Sequence, residues 1–323
     1  MTRSPACNLF AIALLGSGIA GCPTAAPESA EPKTDASPLR ICASIPPVAF
    51  AVKAIGGDRV SVSTLLLPGQ SPATYEPTSK QMVELSKTQC LFAVGVPFEA
   101  QVVASVSSSM PDLRIVDVSV GLETRQAEFK CDHSHEEGHD HAHHHASDID
   151  PHVWMNPRLM IAIAESVHVE LSLLSPSDTP LFDANMNALK RTLEILDAEI
   201  RAMLAPLATR SFYVYHPSLG YFADAYGLKQ EAIEQGGKAP TAKELDALVK
   251  RARSENAKLI FVQPQFSQRA AHSVAEQING SVVTLDPLSE NYVENLRTIA
   301  EGIKDALGGS SVPDDGTNEA TND

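Results

Sequence analysis

Short apolar runs separated by amphipathic stretches mark the first part of the chain, and this pattern predicts alternating strands and helices. Strands are predicted where the runs are too short for helices, at 39–45, 59–67, 90–94 and 113–118. Helices are predicted at 46–54, 77–88, 99–109 and 157–174. Strands that alternate with helices predict a parallel sheet with helices on both faces.

A second block of the same kind follows further along the chain. Its predicted strands lie at 211–215, 258–263 and 281–286. Its predicted helices lie at 217–226, 241–254, 267–278 and 289–307. We therefore expect an α/β fold with two lobes, each a mainly parallel sheet flanked by helices.

Between the two blocks, apolar residues recur every three to four positions over a long segment, which is the period of an amphipathic helix. The helix is longer than an average helix. It is either an ordinary core helix of one domain or a rigid spine that joins two lobes, and the strand-helix pattern that repeats after it favours the spine. The apolar positions are Phe182, Met186, Leu189, Leu193, Leu196, Ile200, Met203 and Leu207.

These patterns set the expected domain boundaries. We expect an N-terminal lobe at 39–174 with a histidine-rich loop at 131–147, one long rigid linking helix at 175–208, and a C-terminal lobe at 209–308. The final segment, 309–323, is rich in Gly, Ser and Asp and is predicted to be disordered.

The N-terminal segment has the features of an export signal. An apolar stretch at 9–20 follows a basic residue, is too short to span a bilayer as a stable helix and ends in small residues. Residues 19–22 (IAGC) resemble a bacterial lipobox, in which the cysteine, here Cys22, becomes the lipid-modified first residue. We expect a lipoprotein signal peptide at 1–21, a disordered tether at 22–38, and an exported protein anchored by lipid at the outer face of the bacterial cell membrane or in the periplasm.

The balance of charged residues indicates which kinds of partner the protein can bind. The chain has 40 Asp plus Glu residues against 25 Lys plus Arg, a net charge of −15 at pH 7. This balance argues against a nucleic-acid partner and suits a protein that attracts cations. Aromatic residues make up only 5% of the chain, so a surface for stacking bases is not expected.

Seven of the 11 histidines lie in one short segment, with acidic residues between them. Neutral imidazole is the commonest protein ligand of zinc, so this segment is predicted to be a mobile loop that collects divalent cations loosely. His152 differs, because it stands between a proline and an apolar pair just before a helix, and it is predicted to be a fixed ligand. A solvated low-complexity insert beside a structural histidine is the alternative. The loop histidines are His133, His135, His139, His141, His143, His144 and His145.

Two further residues with metal-ligand side chains stand at predicted strand ends. His216 follows the strand at 211–215, and Asp286 closes the strand at 281–286. Because ligands of parallel α/β sheets bind outside the carboxyl ends of the strands, these residues and His152 could form a zinc-type site between the lobes. Taken singly, a strand-end Asp more often caps a turn, and a lone His is more often a hydrogen-bonded core residue.

The cysteines of the folded body leave alternatives open. Cys42 and Cys90 fall in predicted strands, where a buried thiol acts as a small hydrophobic side chain, and a disulfide between them is the alternative. Cys131 borders the histidine-rich loop and is either an additional soft ligand or an unpaired thiol.

Several motifs together carry a family resemblance over nearly all of residues 39–308. They are LLPGQSPATYEPT, the histidine-rich insert, DPHVWMNP, YHPSLGYFADAYGL, the run from GGKAPTAKEL to FVQPQFS, and LDPLSENYVENL. The chain resembles the metal-specific solute-binding lipoproteins of bacterial ABC importers, in the zinc and manganese cluster. The resemblance implies two lobes joined by one rigid helix, metal bound between them with little domain closure, and delivery to an ABC permease driven by a separate ATPase subunit. We expect a monomer.

The resemblance also implies the metal ligands. Matched position by position, they are His152 in DPHVWMNP, His216 in YHPSLG and Asp286 in LDPLSE. A histidine instead of a glutamate at the second of these positions resembles the zinc branch, so Zn2+ is expected ahead of Mn2+. Where the family usually has a histidine in the first loop, this chain has Ala73, which cannot coordinate a metal. The missing donor is expected from water or a loop histidine, in preference to Glu76.

Two other functional classes compete with metal transport. Three metal ligands with an open fourth position would also suit a zinc hydrolase. However, no HExxH motif is present and no second acid or base beyond Glu76 is placed by a motif, so we do not expect an enzyme. A metal-dependent adhesion or sensing lipoprotein is the second alternative.

Overall fold

Within the described residues, two parallel sheets of four strands each form the centres of the two lobes. The computed structural model describes residues 37–127, 149–234, 240–255, 257–266 and 268–308. The strands of the first lobe are β1 (Leu39–Ala43), β2 (Val60–Thr64), β3 (Cys90–Ala93) and β4 (Arg114–Asp117). Those of the second lobe are β5 (Ser211–Val214), β6 (Lys229–Ala232), β7 (Leu259–Val262) and β8 (Ser281–Thr284). The helices are α1 (Pro46–Gly56), α2 (Ser79–Leu85), α3 (Glu99–Ser109), α4 (Pro157–Leu174), α5 (Thr179–Leu204), α6 (Gly220–Tyr226), α7 (Ala242–Ser254), α8 (Gln268–Gln277) and α9 (Tyr292–Gly308).

The two sheets share one connectivity, with the strand orders β2-β1-β3-β4 and β6-β5-β7-β8. Every pair of neighbouring strands is parallel. Because all four strands of a lobe run in the same direction, their carboxyl ends lie at the same edge of the sheet. The predicted fold class, two mainly parallel α/β lobes flanked by helices, is confirmed.

The edge strand β6 is the element that the hydrophobic pattern misses. Its residues, KQEA, give no apolar run, and it pairs with β5 alone. A strand at a sheet edge needs only one partner and commonly carries charged side chains. Tertiary pairing therefore makes this segment a strand, and it leads directly to Glu234 at the carboxyl edge of the sheet.

The long helix α5 joins the two lobes. Its predicted apolar stripe is buried from Phe182 to Ile200, and Met203 is partly buried. The helix packs against α1 and α4 of the first lobe and against α6 and α9 of the second. It ends at Leu204, and a short 3-10 turn that contains Leu207 continues it. The interpretation of this helix as a spine between lobes is confirmed.

A second connection between the lobes runs through the fully buried Trp154. Its indole N–H donates to the carbonyl of Pro287 (2.8 Å), and its own carbonyl accepts from the Tyr292 hydroxyl (2.6 Å). The Tyr292 ring stacks on Phe50 of α1, with 5.2 Å between the ring centroids. These contacts fix the segment after β8 against the first lobe, two residues away from His152.

The strand register explains why Cys42 and Cys90 are free thiols. Cys90 lies opposite Ile41, so Cys42 is one residue out of register with it. Because side chains alternate between the faces of a sheet, the two thiols project from opposite faces. Burial raises the pKa of Cys42 to about 11 and that of Cys90 to about 12, so both are neutral small hydrophobic groups as predicted, and the disulfide alternative is wrong.

Several predicted segments lie outside the described residues. These are the signal peptide, Cys22, most of the tether, the histidine-rich loop with Cys131, and residues 309–323. Among the helices that the structure does describe, none has the length and apolar character needed to cross a membrane.

Candidate metal centre

His152 is held by a carboxylate two residues before it. Its Nδ1 lies 2.7 Å from Oδ1 of Asp150, and its backbone N–H donates to the same oxygen (3.0 Å). The segment is anchored on both sides, because the Asp150 N–H donates to the Arg125 carbonyl (2.9 Å) and a 3-10 turn at Val153–Met155 leads into α4. A carboxylate at Nδ1 favours the tautomer with hydrogen on that nitrogen, which leaves the lone pair of Nε2 available for a metal.

Asp150 forms an ion pair with Arg125, and residues of the second lobe contact both of them. An Arg125 nitrogen lies 3.3 Å from Asp150 Oδ2, and Arg125 also contacts Asp224 of α6 (2.9 Å). The Tyr221 hydroxyl donates to the Asp150 carbonyl (3.0 Å) and accepts from the Arg125 N–H (2.9 Å). Burial alone would raise the pKa of Asp150, but His152 and Arg125 hold it below its usual range. The Asp150 carboxyl is therefore ionised at neutral pH.

Gly220, at the start of α6, makes this arrangement possible. A Cβ atom at this position would lie 2.3 Å from the Arg125 guanidinium. The absence of a side chain therefore lets Arg125 lie against the backbone of α6, which brings the cation of the first lobe to the second lobe. Substitution of Gly220 would push Arg125 away from Asp150 and Asp224.

His216 lies just past the end of β5 and is held differently. Gln263, at the end of β7, accepts from the His216 N–H (3.2 Å) and donates to its carbonyl (2.7 Å). The ring is stacked on Phe266 at 4.6 Å and 20°, and its Nδ1 lies 3.3 Å from Oε2 of the buried Glu234. Burial lowers the pKa of His216, while the contact with Glu234 opposes that shift. His216 is therefore a neutral imidazole at neutral pH, which is the form that binds metals.

The structure brings these two histidines together. The ring centroids of His152 and His216 are 5.4 Å apart, with the ring planes at 72°. Each ring faces a carboxylate through Nδ1, and within the described residues neither Nε2 has a hydrogen-bond partner. Two largely buried imidazoles with free lone pairs can supply two nitrogen ligands to one divalent cation.

The third predicted ligand, Asp286, lies two residues past the end of β8. Its Oδ1 accepts from the Gln265 amide (2.9 Å) and from the Leu288 N–H (3.1 Å), so it caps the turn that follows the strand. In the part of the chain that the structure describes, no three His, Cys, Asp or Glu side chains are grouped as metal ligands. A role for Asp286 as a ligand thus stays a prediction.

The first loop places Ala73 where the family usually has a histidine, and a role for Glu76 as a substitute ligand stays a prediction. Ala73 and Glu76 are both exposed. Tyr75, between them, anchors the loop, because its hydroxyl donates to the Leu65 carbonyl (2.6 Å) and its ring meets Phe98 edge to face at 4.8 Å. The loop histidines, the other predicted source of a donor, lie outside the described residues.

Sequence reasoning missed the residues that hold the two histidines in place. Glu234 follows β6, so the rule that placed His216 at a strand end would have found it if β6 had been predicted. Gln263 is the last residue of a predicted strand, so the same rule applied to it. Arg125 and Phe266 gave no signal, because their roles depend on contacts between distant segments.

Comparison with known proteins gives one consistent result. The family model of zinc-uptake complex component A, periplasmic (ZnuA), matches residues 41–306. Zinc-binding protein AdcA of Streptococcus pyogenes serotype M3 is 28% identical over 262 residues, which cover 77% of this chain and 50% of AdcA. The chain thus spans about half the length of that curated relative.

Two further similarities extend over most of both proteins. The high-affinity zinc uptake system protein ZnuA of Yersinia pestis is 25% identical over 267 residues, covering 78% of this chain and 84% of that protein. A crystal structure of ZnuA superposes with a TM-score of 0.76 at 32% identity, covering 84% of this chain and 100% of that chain.

Proposed function

We propose that this chain, which belongs to the ZnuA family of periplasmic zinc-uptake components, captures Zn2+ outside the cytoplasm and delivers it to an ABC permease for import. The family consists of substrate-binding transport proteins and not of enzymes. The observation that carries the proposal is the pair of largely buried imidazoles, His152 and His216, each with a carboxylate at Nδ1 and, within the described residues, no hydrogen-bond partner at Nε2.

The donor chemistry supports zinc ahead of manganese. Zinc accepts imidazole nitrogen at about 2.0–2.1 Å in tetrahedral sites, whereas manganese is better suited by oxygen donors. The carboxylates of Asp150 and Glu234 orient the two rings and increase the basicity of their ligating nitrogens. Burial of His216 keeps its ring neutral, so that zinc need not displace a proton from it at neutral pH.

The remaining coordination positions are part of the proposal. Asp286 supplies a third ligand when its side chain exchanges the Gln265 amide for the cation. The fourth donor is water or a histidine of the loop at 131–147, because Ala73 cannot coordinate. If the donor is a loop histidine, full coordination depends on that loop, which also collects zinc for the interlobe site.

The partners, the oligomeric state and the membrane anchor are further parts of the proposal. The permease and its ATPase subunit are the proposed partners, and the protein acts as a monomer. A lipid on Cys22 ties it to the membrane through the segment at 22–38, after removal of the signal peptide at 1–21.

A competition titration tests the proposal. The mature chain, with and without residues 131–147, is titrated with zinc and manganese against a chromophoric chelator. We expect tight one-to-one zinc binding that His216→Ala abolishes. His168→Ala is the matched control, because this histidine pairs with Asp183 on the surface of α4 and α5.

Each outcome has a defined meaning. Weaker zinc binding after deletion of the loop supports its role as a ligand source, and unchanged affinity shows that the interlobe residues suffice without it. If neither form binds zinc tightly, or if His216→Ala and His168→Ala behave alike, the proposed capture function is wrong.

A further inference from the structure

A cavity of about 310 Å³ lies at the edge of the second sheet that is opposite to His216. It is formed where β5, β6 and β7 begin, whereas His216 and Glu234 follow the carboxyl ends of β5 and β6. The residues that carry the argument are Thr209, Arg210, Ser211, Lys229, Glu255 and Lys258. Zinc capture uses none of them, so the cavity needs a separate explanation.

The cavity concentrates positive charge in a chain whose net charge is −15. Three of its lining residues, Arg210, Lys229 and Lys258, are basic and one, Glu255, is acidic. The Glu255 carboxylate accepts a hydrogen bond from the buried Tyr213 hydroxyl (2.8 Å). The lining thus keeps a net positive charge after its carboxylate is counted.

The C-terminus of a nearby helix explains only one of the three basic residues at this cavity. The carbonyl end of α9 faces the cavity, and a cation near the C-terminus of a helix is favourable. Arg210 meets this need, because its guanidinium donates to the Leu307 carbonyl. The side chains of Lys229 and Lys258 make no hydrogen bond or ion pair with any residue that the structure describes. Two solvent-exposed lysines without a partner among the described residues therefore remain at one cavity.

The backbone at the rim of the cavity is also unusual. Thr209 has φ of +70°, a left-handed conformation that β-branched residues rarely adopt. Its N–H donates to the Gly227 carbonyl (2.7 Å), which holds the strained residue beside the start of β5. Strain of this kind is concentrated at functional sites, where the surrounding structure maintains it.

We propose that this cavity binds a small anion that carries a phosphoryl group. Lys229 and Lys258 supply the charge, and the hydroxyls of Thr209 and Ser211 supply hydrogen-bond donors suited to phosphoryl oxygens. The volume is at the lower end of the range for ligand sites and is roughly ten times that of one water in the liquid. It therefore accommodates inorganic phosphate or the phosphorylated headgroup of a lipid.

The test measures thermal unfolding of the metal-free full chain with inorganic phosphate as the probe. The chain carries Cys22→Ser, so that no lipid on this residue ties it to vesicles. Ionic strength is held constant with chloride, because phosphate stabilises proteins in general. Binding to the native state raises the unfolding temperature with increasing ligand concentration. We expect Lys229→Gln/Lys258→Gln to weaken the apparent phosphate affinity at least tenfold.

Lys190→Gln/Lys250→Gln is the matched control, since these two lysines lie outside the cavity on α5 and α7. It should keep the full response to phosphate. Broadening of the 31P resonance of phosphate provides a second measurement that does not depend on stability. The proposal is overturned if phosphate acts no differently from chloride on the parent chain, or if the two double variants respond alike.

A further arm identifies the source of the phosphoryl group. Vesicles of phosphatidylglycerol are compared with vesicles of phosphatidylcholine as competitors of bound phosphate. Selective competition by the anionic vesicles supports a lipid headgroup, and phosphate binding without competition supports a free anion. Because the cavity and the histidines lie at opposite strand ends, zinc affinity should be unchanged in Lys229→Gln/Lys258→Gln.

Discussion

His152 and His216, the two proposed zinc ligands, are held by different physical means. His152 has a short contact, 2.7 Å, with a carboxylate whose charge is backed by Arg125. His216 has a longer contact, 3.3 Å, with Glu234, and its ring is fixed mainly by stacking on Phe266 and by two hydrogen bonds of its backbone with Gln263. His152 is thus positioned by charge and His216 by packing.

This difference extends to the lobes themselves. The support of His152 comes from both lobes, because Tyr221 and Asp224 of α6 hold Arg125 and Asp150. Among the described residues, the hydrogen bonds and the stacking that hold His216 come from the second lobe. We therefore expect mutations around His152 to affect both the zinc site and the stability of the fold, and mutations around His216 to affect mainly the site.

The largest effect is expected from Asp150→Asn. It removes the charge but keeps an oxygen that can accept from His152, and it breaks the ion pair between Asp150 and Arg125. Zinc affinity should fall about 10- to 100-fold. The free energy of unfolding of the metal-free protein should fall by an amount near the lower end of the roughly 3–5 kcal/mol seen when a buried ion pair is broken. Urea titration and zinc competition measure the two effects.

Asp183→Asn is the control for this prediction, because it alters an Asp–His pair with the same 2.7 Å separation on the protein surface. It should change stability by roughly 1 kcal/mol or less and leave zinc affinity unchanged. Equal effects of the two substitutions would contradict the assignment of His152 as the charge-positioned ligand.

A smaller effect is expected from Glu234→Gln. The side-chain amide can donate to His216 Nδ1, which favours the tautomer with hydrogen on Nε2 and removes the lone pair that binds zinc. Zinc affinity should fall about tenfold, at the lower end of the range for such supporting residues. The free energy of unfolding should change by less than in Asp150→Asn.

Glu231→Gln is the matched substitution on β6, since Glu231 pairs with Arg251 away from the histidines. It should leave zinc affinity unchanged. A loss of stability in Glu234→Gln as large as that in Asp150→Asn would remove the proposed distinction between the two sides of the site.

Phe266→Leu tests the packing of His216 directly. Aromatic pairs contribute about 0.5–1.5 kcal/mol beyond the area that they bury. Loss of the stacked ring should therefore weaken zinc binding by roughly twofold to tenfold without changing the charge of the site. Phe50→Leu removes a stacked ring at Tyr292 instead, so it should lower stability and spare zinc affinity. If Phe266→Leu instead lowers stability and spares zinc affinity, Phe266 has only a packing role.

Apolar periodicity and strand-end positions were sufficient to predict much of this arrangement. The stripe on α5 identified the spine, and the carboxyl-end rule predicted that His216 lies near His152. The supporting residues could not be found in this way. Arg125 meets Asp150 across 25 positions and Gln263 meets His216 across 47, so only the folded chain brings them together. The polar strand β6 gave no hydrophobic signal, and Glu234 was missed with it.

The smallest effect is expected in the dependence of stability on pH. Because burial lowers the pKa of His216 below the usual 6.5, the unfolded chain takes up a proton at a higher pH than the native chain does. The contribution of His216 to the stability of the metal-free protein should therefore fall as the pH decreases below about 6.5, by no more than about 1.4 kcal/mol per pH unit, and level off below the folded pKa of this residue.

The two sides of the site should respond in separate pH ranges. The depressed pKa of Asp150 contributes stability that is fully present above the usual value of 3.8 and is lost only as the pH falls through the lower folded pKa. Urea unfolding between pH 8 and 5 therefore reports His216 without Asp150. His216→Gln should flatten the curve in this range, and the surface substitution His168→Gln should not. An unchanged slope in His216→Gln would mean that burial does not keep His216 neutral. The proposed contrast between His152, positioned by charge, and His216, positioned by packing, would then have no electrostatic support at His216.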